Sequence, residues 1–144
     1  MNWIALVTLV CGTAATPNLP TQIEAVAQEF NVDKTLILSV IFQESRCKPD
    51  AVGTSNDSGL MQIVPRWHQE RIERLSVTNL FDPKQNMRVG ADILSSLNVN
   101  ESTLDALVVY NGGYARPESS YNYARQVIQR KANYDSLLGV TLQP

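Results

Sequence analysis

One carboxylate of this chain lies where acid chemistry is expected. Apolar residues between Leu36 and Ile41 recur at helical spacing, and Glu44 follows Ile41 by three residues on the same stripe. Burial favours the neutral form of a carboxyl group and raises its pKa, so the group keeps a proton to give to a leaving oxygen. Glu44 is therefore a candidate general acid. Alternatively, its side chain reaches solvent at the helix end or pairs with Arg46 or Arg66.

The elements that must position Glu44 are helices. Apolar periodicity near 3.6 residues dominates the chain, and no segment alternates as paired strands do. Capping residues and helix-starting prolines predict helices that begin at the capping box Thr21-x-x-Glu24, at Asp33, Pro65, Asp82 and Ser102, and near Ser119. Asn111-Gly112-Gly113 is expected to end the fifth of them. The fold class is therefore all-α, or nearly so.

Length and charge exclude several kinds of function. The chain has 144 residues and no long linker, which predicts one domain over residues 17–144. A net charge of -2 argues against a nucleic-acid partner, and the sequence has no Gly-rich phosphate loop. His68 is the single histidine, and the chain has only two cysteines, so neither a multi-histidine nor a Cys-rich metal site is expected.

The first 16 residues are open to two interpretations. The apolar run at residues 4–10 is too short to span a bilayer and resembles the core of a secretory signal, with a possible cleavage region at residues 12–15. No Lys or Arg precedes the run, and the alternative is an apolar segment that packs on the domain. Cys11 and Cys47 can pair only if this segment stays attached. Otherwise Cys47 is a lone thiol, and we expect it to be a small buried residue.

Five motifs surround the candidate acid in a fixed order. They are Glu44-Ser45, Gly59-Leu60-Met61-Gln62, Leu80-Phe81-Asp82-Pro83 with Asn86 and Gly90, Tyr110-Asn111-Gly112-Gly113, and Tyr123-Ala124-Arg125-Gln126-Val127. The set resembles the soluble lytic transglycosylase family over residues 23–132. That resemblance implies a lysozyme-like fold with a glycan-binding cleft, and peptidoglycan strands as the substrate.

The resemblance also implies a mechanism. Glu44 would protonate the glycosidic oxygen between N-acetylmuramic acid and N-acetylglucosamine. It would then accept the proton of the C6 hydroxyl, which closes on the anomeric carbon and leaves a 1,6-anhydro end. Neither water nor a metal or organic cofactor takes part. This scheme differs from the usual pair of carboxylates.

The resemblance assigns substrate contacts to further residues. They are Ser45, Gly59, Leu60, Met61, Gln62, Tyr110, Asn111 and Tyr123. Among these, Leu60 and Met61 are expected to serve packing more than chemistry, and Ser45 can equally bond its own helix end. Tyr123 matches the family tyrosine whose hydroxyl lies near the acid, and is preferred to Tyr121 because Tyr-x-x-x-Val matches the family spacing.

Two aromatic residues that follow the GLMQ motif receive no catalytic role. We interpret Trp67 as a core residue rather than a sugar platform. His68 has no neighbour in the sequence that would make it a catalytic base, and we interpret it as a surface or structural residue.

Two other functions remain open. A hydrolase of the goose-type lysozyme kind would need a second carboxylate to hold water, and Asp57, in the loop before GLMQ, is the candidate unless it only bonds its own turn. A non-catalytic wall-binding module would have no reason to keep Glu44. We expect a monomer without a stable membrane span that acts in the periplasm or outside the cell. Three settings are compatible with a domain of this kind: a phage virion or lysin, a secretion or conjugation apparatus, and housekeeping remodelling of the wall.

Overall fold

The protein is described by a computed structural model, which covers residues 1–12 and 17–139. Within these ranges there are seven α-helices and, in place of strands, two isolated β-bridges. The helices are α1 (Trp3–Cys11), α2 (Leu19–Phe30), α3 (Lys34–Ser45), α4 (Gln69–Arg74), α5 (Pro83–Ser96), α6 (Thr103–Gly112) and α7 (Glu118–Leu137). The predicted all-α class is confirmed.

Helix α3 is the centre of the domain. Every residue from Thr35 to Ile41 is buried, so the helix is covered all round and not only along the predicted stripe. It packs against α1, α2 and α7. A helix that is apolar on every side belongs in a core, and the sequence of α3 is almost free of charge between Lys34 and Glu44. The core therefore surrounds the element that carries the candidate acid.

Polar bonds fix α3 against α7 near both ends. At the start of α3, the Thr35 hydroxyl donates a 2.7 Å bond to Asp135, a buried carboxylate that also pairs with Lys131. At its other end, the Gln43 amide donates to the side-chain oxygen of Gln126 at 2.8 Å. Side chains on the two helices are consequently held in one register, which matters because the active-site groups described below come from both.

Helix α1 packs on the domain and is joined to it covalently. Trp3, Leu6 and Val7 are buried, and a disulfide connects Cys11 to Cys47, just beyond α3. The segment is packed on the domain in the uncut chain, and its removal as a secretory signal stays a prediction. Residues 13–15 of the suggested cleavage region lie outside the described residues. No described helix is long and apolar enough to cross a membrane.

The predicted helix starts are partly right. Asp82 caps α5 by accepting a bond from the Gln85 amide, as predicted, at 2.9 Å. The capping box at Thr21 is wrong, because α2 already begins at Leu19, with Pro20 in its first turn. The helix expected from Pro65 is broken into a short 3₁₀ turn over Pro65–Trp67 and the six-residue α4. The break follows from the geometry at His68, whose φ of -131° is not helical.

Candidate active site

Glu44 lies at the edge of a cleft of about 490 Å³. It is the last residue but one of α3, and the chain turns away immediately afterwards because Arg46 adopts a left-handed φ of 55°. The opposite parts of the cleft come from the loop before the GLMQ motif, from α5 and from the end of α6. This position leaves the carboxyl partly buried yet open to a ligand.

The pKa of Glu44 suits a general acid. Burial raises it from 4.5 to about 7, and the nearby charge of Asp57 acts in the same direction. The Tyr123 hydroxyl donates a 3.0 Å bond to Oε2 of Glu44, which lowers the pKa and partly offsets the effect of burial. The raised pKa therefore lets Glu44 hold a proton much closer to neutral pH than an ordinary glutamate does.

A second phenol, that of Tyr110, lines the cleft itself. Tyr110 of α6 donates a 2.8 Å bond to the carbonyl of Met61, and both burial and the charge of Glu44 raise its pKa well above the ordinary value. Tyr123 is affected in the same way by burial and by Glu44. Both phenols therefore remain protonated near neutral pH, where each acts as a neutral donor or acceptor.

A buried asparagine fixes the turn that faces Glu44. The Asn86 side chain accepts a 2.8 Å bond from the Met61 amide and donates 2.8 Å bonds to the carbonyls of Ser58 and Leu80. Gly59 adopts a φ of +79°, and a Cβ there would clash with the Asn86 amide and with the Leu80 carbonyl. Three hydrogen bonds to the Asn86 side chain therefore hold this turn, and residue 59 must be a glycine because a Cβ does not fit there.

The predicted contacts differ in how they meet the cleft. Glu44, Gln62, Tyr110 and Asn111 line it. The Gln62 amide nitrogen donates to the carbonyls of Ala51 and Gly59, which leaves the side-chain oxygen available to a ligand. The Asn111 side-chain oxygen accepts a 2.7 Å bond from Ser120, which leaves its amide nitrogen for other partners.

The remaining predicted contacts are buried behind the cleft. Ser45, Gly59, Leu60, Met61 and Tyr123 are all buried and are not among the residues that line it. The Ser45 hydroxyl donates to the carbonyl of Ile41 at 3.0 Å, as a serine at a helix end often does. Leu60 and Met61 fill the core, and the proposed function assigns no direct sugar contact to the side chains of Ser45, Leu60 and Met61.

A comparison with known families shows which family the chain belongs to. The family model described as "Transglycosylase SLT domain" matches residues 21–133. That stretch is most of the chain and contains Glu44, the GLMQ turn, both phenols and Asn86. The chain belongs to the SLT transglycosylase family. The family predicted from the five motifs is thus confirmed.

Individual relatives agree with the family. The SLT transglycosylase is 32% identical over 124 residues to invasion protein IagB of Salmonella typhimurium, covering 79% of this chain and 75% of IagB. It is 37% identical over 82 residues to membrane-bound lytic murein transglycosylase E of Buchnera aphidicola, covering 52% of this chain and 37% of that protein.

A solved structure supports the fold. The structure of the lytic transglycosylase Slt from Pseudomonas aeruginosa, an inactive E503Q mutant, superposes with a TM-score of 0.75 at 19% identity. The alignment covers 94% of this chain and 26% of Slt, so this SLT transglycosylase spans about a quarter of that protein. The lysozyme-like all-α fold that the motifs implied is confirmed.

The SLT transglycosylase has one more carboxylate at the cleft. Asp57 lines it, and its Oδ1 accepts a 3.2 Å bond from the Ser55 amide, which is the turn-forming role considered for this residue. Its charge also reaches Glu44, whose pKa it raises. Asp57 therefore combines a local bond with an electrostatic effect on the acid.

The interpretation of Trp67 as a core residue is wrong. Its side chain is 66% exposed and lines the cleft of the SLT transglycosylase. Tyr114, which the motifs did not single out, lines the same cleft and is 77% exposed. The sequence carried only a weak signal for either residue, namely an aromatic side chain that follows a family motif: Trp67 comes soon after GLMQ and Tyr114 directly after Gly113. His68 is half-buried at the cleft, and burial together with Arg71 lowers its pKa.

Among residues 1–12 and 17–139, no three side chains of the His, Cys, Asp and Glu types are grouped in a way that could hold a metal ion.

Proposed function

We propose that the chain cleaves peptidoglycan between N-acetylmuramic acid and N-acetylglucosamine without consuming water, with Glu44 as the single acid and base. The observation that carries this proposal is the environment of Glu44. A carboxyl group with a pKa of about 7 at the edge of an open cleft is able both to give a proton and to take one back near neutral pH.

The first step is protonation of the leaving oxygen. The proton of Glu44 passes to the glycosidic oxygen, the bond from that oxygen to the anomeric carbon breaks, and N-acetylglucosamine leaves with a new hydroxyl. Glu44 becomes a carboxylate beside a positively polarised anomeric carbon. The Tyr123 hydroxyl stabilises this charged form because its bond to Oε2 is stronger when the acceptor is ionised.

The second step closes the ring. The C6 hydroxyl oxygen of muramic acid bonds to the anomeric carbon, and its proton returns to Glu44. The product ends in a 1,6-anhydro sugar, and the enzyme regains its starting state. Every atom of the substrate remains in the two products, so neither water nor a cofactor is needed.

Hydrolysis is a second candidate, and Asp57 is the observation that favours it. This carboxylate lines the same cleft and affects the pKa of Glu44. A lysozyme-type reaction would use Asp57 to hold a water or to stabilise the positive charge. Its bond to the Ser55 amide is compatible with either role, because a carboxylate has further lone pairs to offer.

The experiment is digestion of purified peptidoglycan in water enriched in heavy oxygen, followed by mass analysis of the muropeptides. The transglycosylase gives ends lighter by one water that carry no label. A hydrolase gives reducing ends that carry it. Glu44→Gln should release no products. Asp57→Asn should still produce anhydro ends, but at a lower rate than the wild type.

The matched control is Glu24→Gln, which makes the same change on an exposed face of α2 and should behave as the wild type. Labelled reducing ends from the wild type would replace the proposal with the lysozyme reaction. Full activity in Glu44→Gln would remove Glu44 from the mechanism altogether.

The setting follows from the substrate. A chain that acts on peptidoglycan works at the cell wall, in the periplasm or outside the cell. Similarity to a protein named for invasion supports a role for this enzyme in invasion, in preference to general remodelling.

A further inference from the structure

An exposed tryptophan beside a catalytic acid calls for an explanation. Tryptophan is one of the largest apolar side chains and is highly buried on average. The other tryptophan of this chain follows that rule, since Trp3 is 7% exposed and donates its indole N–H to the Pro20 carbonyl at 2.9 Å. Trp67 is instead 66% exposed to solvent, and it lines both the cleft and a smaller cavity of about 150 Å³.

The indole of Trp67 is oriented although it is exposed. The guanidinium of Arg66 lies 4.8 Å from the ring centroid, and the same group donates a 3.0 Å bond to the carbonyl of Ser55. The backbone is fixed as well, because Trp67 and His68 both donate to carbonyls of the 3₁₀ turn. The ring thus loses little freedom on meeting a ligand, which is what preorganisation of a binding surface requires.

The hydrogen bond from Arg66 to Ser55 connects the Trp67 ring to the part of the cleft that contains Glu44. Ser55, which holds Arg66 through its carbonyl, also donates its amide to Asp57. Asp57 in turn raises the pKa of Glu44. The turn that carries the ring is therefore bonded to the loop that carries Asp57, the carboxylate whose charge raises the pKa of Glu44.

A second exposed ring enters the cleft from another element. Tyr114 belongs to the short 3₁₀ turn Gly113–Ala115 between α6 and α7, and 77% of it is exposed. It lines the cleft together with Gly113, whose missing side chain leaves the approach open. The cleft thus offers two aromatic surfaces that the core does not use.

We propose that Trp67, oriented by Arg66, and Tyr114 are stacking surfaces for pyranose rings of the glycan strand on either side of the bond that is cleaved. Aromatic rings present a flat apolar face, and the N–H or O–H at their edge can still bond a sugar hydroxyl. Such surfaces suit a neutral N-acetylated glycan, because uncharged sugar rings must be held by contacts other than charge. The net charge of -2 gives the chain no bulk electrostatic attraction for such a strand. This inference rests on the proposed function for its substrate class.

The test measures binding without catalysis. The Glu44→Gln protein is titrated with a soluble oligomer of β-1,4-linked N-acetylglucosamine while tryptophan emission is followed. We expect a saturable change in emission that Trp67→Ala abolishes, together with at least a tenfold loss of affinity measured by calorimetry. Trp67→Phe should retain most of the affinity. Trp3→Phe, at the buried tryptophan, should keep both the emission change and the affinity.

Variants at the other two residues separate their roles. Tyr114→Ala should weaken binding several-fold and keep the emission change, whereas Tyr114→Phe should bind nearly as the parent. Arg66→Ala should weaken binding more than Arg66→Lys, since a lysine can still place a cation on the ring. Unchanged affinity in Trp67→Ala, or the absence of any saturable emission change in the parent, would overturn the proposal.

Failure of this proposal is distinct from failure of the proposed reaction. Oligomer binding that depends on Trp67, combined with labelled reducing ends from peptidoglycan, would keep the stacking surfaces and replace the transglycosylase mechanism. Anhydro products combined with an unchanged affinity in Trp67→Ala would do the opposite.

Discussion

The hydroxyl of Tyr123, on α7, donates a 3.0 Å hydrogen bond to Oε2 of Glu44, on α3. The two residues are 79 positions apart in the sequence, and the polar bonds between α3 and α7 keep them in register. The phenol and the burial of the acid act in opposite directions on the pKa of Glu44, which settles at about 7. Predictions about rate and pH follow from this balance.

Removal of the phenol should raise the pKa of Glu44. In Tyr123→Phe the bond to the charged form is lost, so the alkaline limb of the rate profile should move to higher pH. We also expect the maximal rate to fall about tenfold, equivalent to ~1.4 kcal/mol, because the acid is less well oriented. The measurement is the rate of peptidoglycan solubilisation against pH. Tyr121→Phe, on the same helix, is the control, and an unmoved limb in Tyr123→Phe would contradict the argument.

Stability should depend on pH through the same carboxyl. Its pKa is about 7 in the folded protein and 4.5 in the ordinary state, so the stability it contributes is complete below pH 4.5 and is lost as the pH rises through 7. The loss amounts to about 3 kcal/mol, at 1.36 kcal/mol for each pH unit between the two values. Urea unfolding at a series of pH values should show this decline in the wild type and not in Glu44→Gln. Parallel curves would show that Glu44 titrates normally.

Two glycines allow a matched test of the turn that faces the acid. Both Gly59 and Gly113 have positive φ, +79° and +67°, but a Cβ at Gly59 would meet Asn86 and Leu80, while at Gly113 nothing lies within 4 Å. Gly113→Ala should cost about 1 kcal/mol of backbone strain. Gly59→Ala adds overpacking of about 1–3 kcal/mol to the same strain. Denaturant unfolding measures the free energy of unfolding of both variants. Equal losses of stability would mean that Asn86 and Leu80 move aside for the new methyl group without cost.

The disulfide between Cys11 and Cys47 should contribute substantially to stability. It closes a loop with a sequence separation of 36 residues, for which restriction of the unfolded chain is worth about 4 kcal/mol. Reductant should lower the free energy of unfolding of the wild type by that order. The double variant Cys11→Ser with Cys47→Ser should be equally destabilised and insensitive to reductant. A wild type that unfolds identically with and without reductant would show that α1 is held by packing alone.

The sequence predicted well where local rules decide the structure. The apolar residues of α3 and the Asp82-Pro83 start of α5 depend on periodicity and capping, and both are found as predicted. It predicted poorly where tertiary packing decides. Nothing in the order of residues distinguishes a tryptophan that enters the core, such as Trp3, from one that lines a cleft, such as Trp67.

Buried polar residues are a second source of error. Asn86 was visible only as one letter of a family motif, because an asparagine within a helix is ordinarily expected on its surface. Its burial makes sense only once the carbonyls of Ser58 and Leu80 and the amide of Met61 converge on it from other segments. The assignment of Glu44 as acid and base remains a prediction that the experiments above address.

The covalent ring closed by Cys11 and Cys47 contains α2 and α3, and with them Glu44, while Tyr123 lies outside it. A protease that cuts one peptide bond anywhere between residues 12 and 46 would open the ring without separating the fragments. This holds for a cut in the small-residue stretch at residues 12–15 as well, after which α1 would still be linked to the body. A molecule nicked after the disulfide has formed would run as one species on a non-reducing gel and as two after reduction, so loss of the leading peptide from the oxidised protein requires both a cut and a reductant.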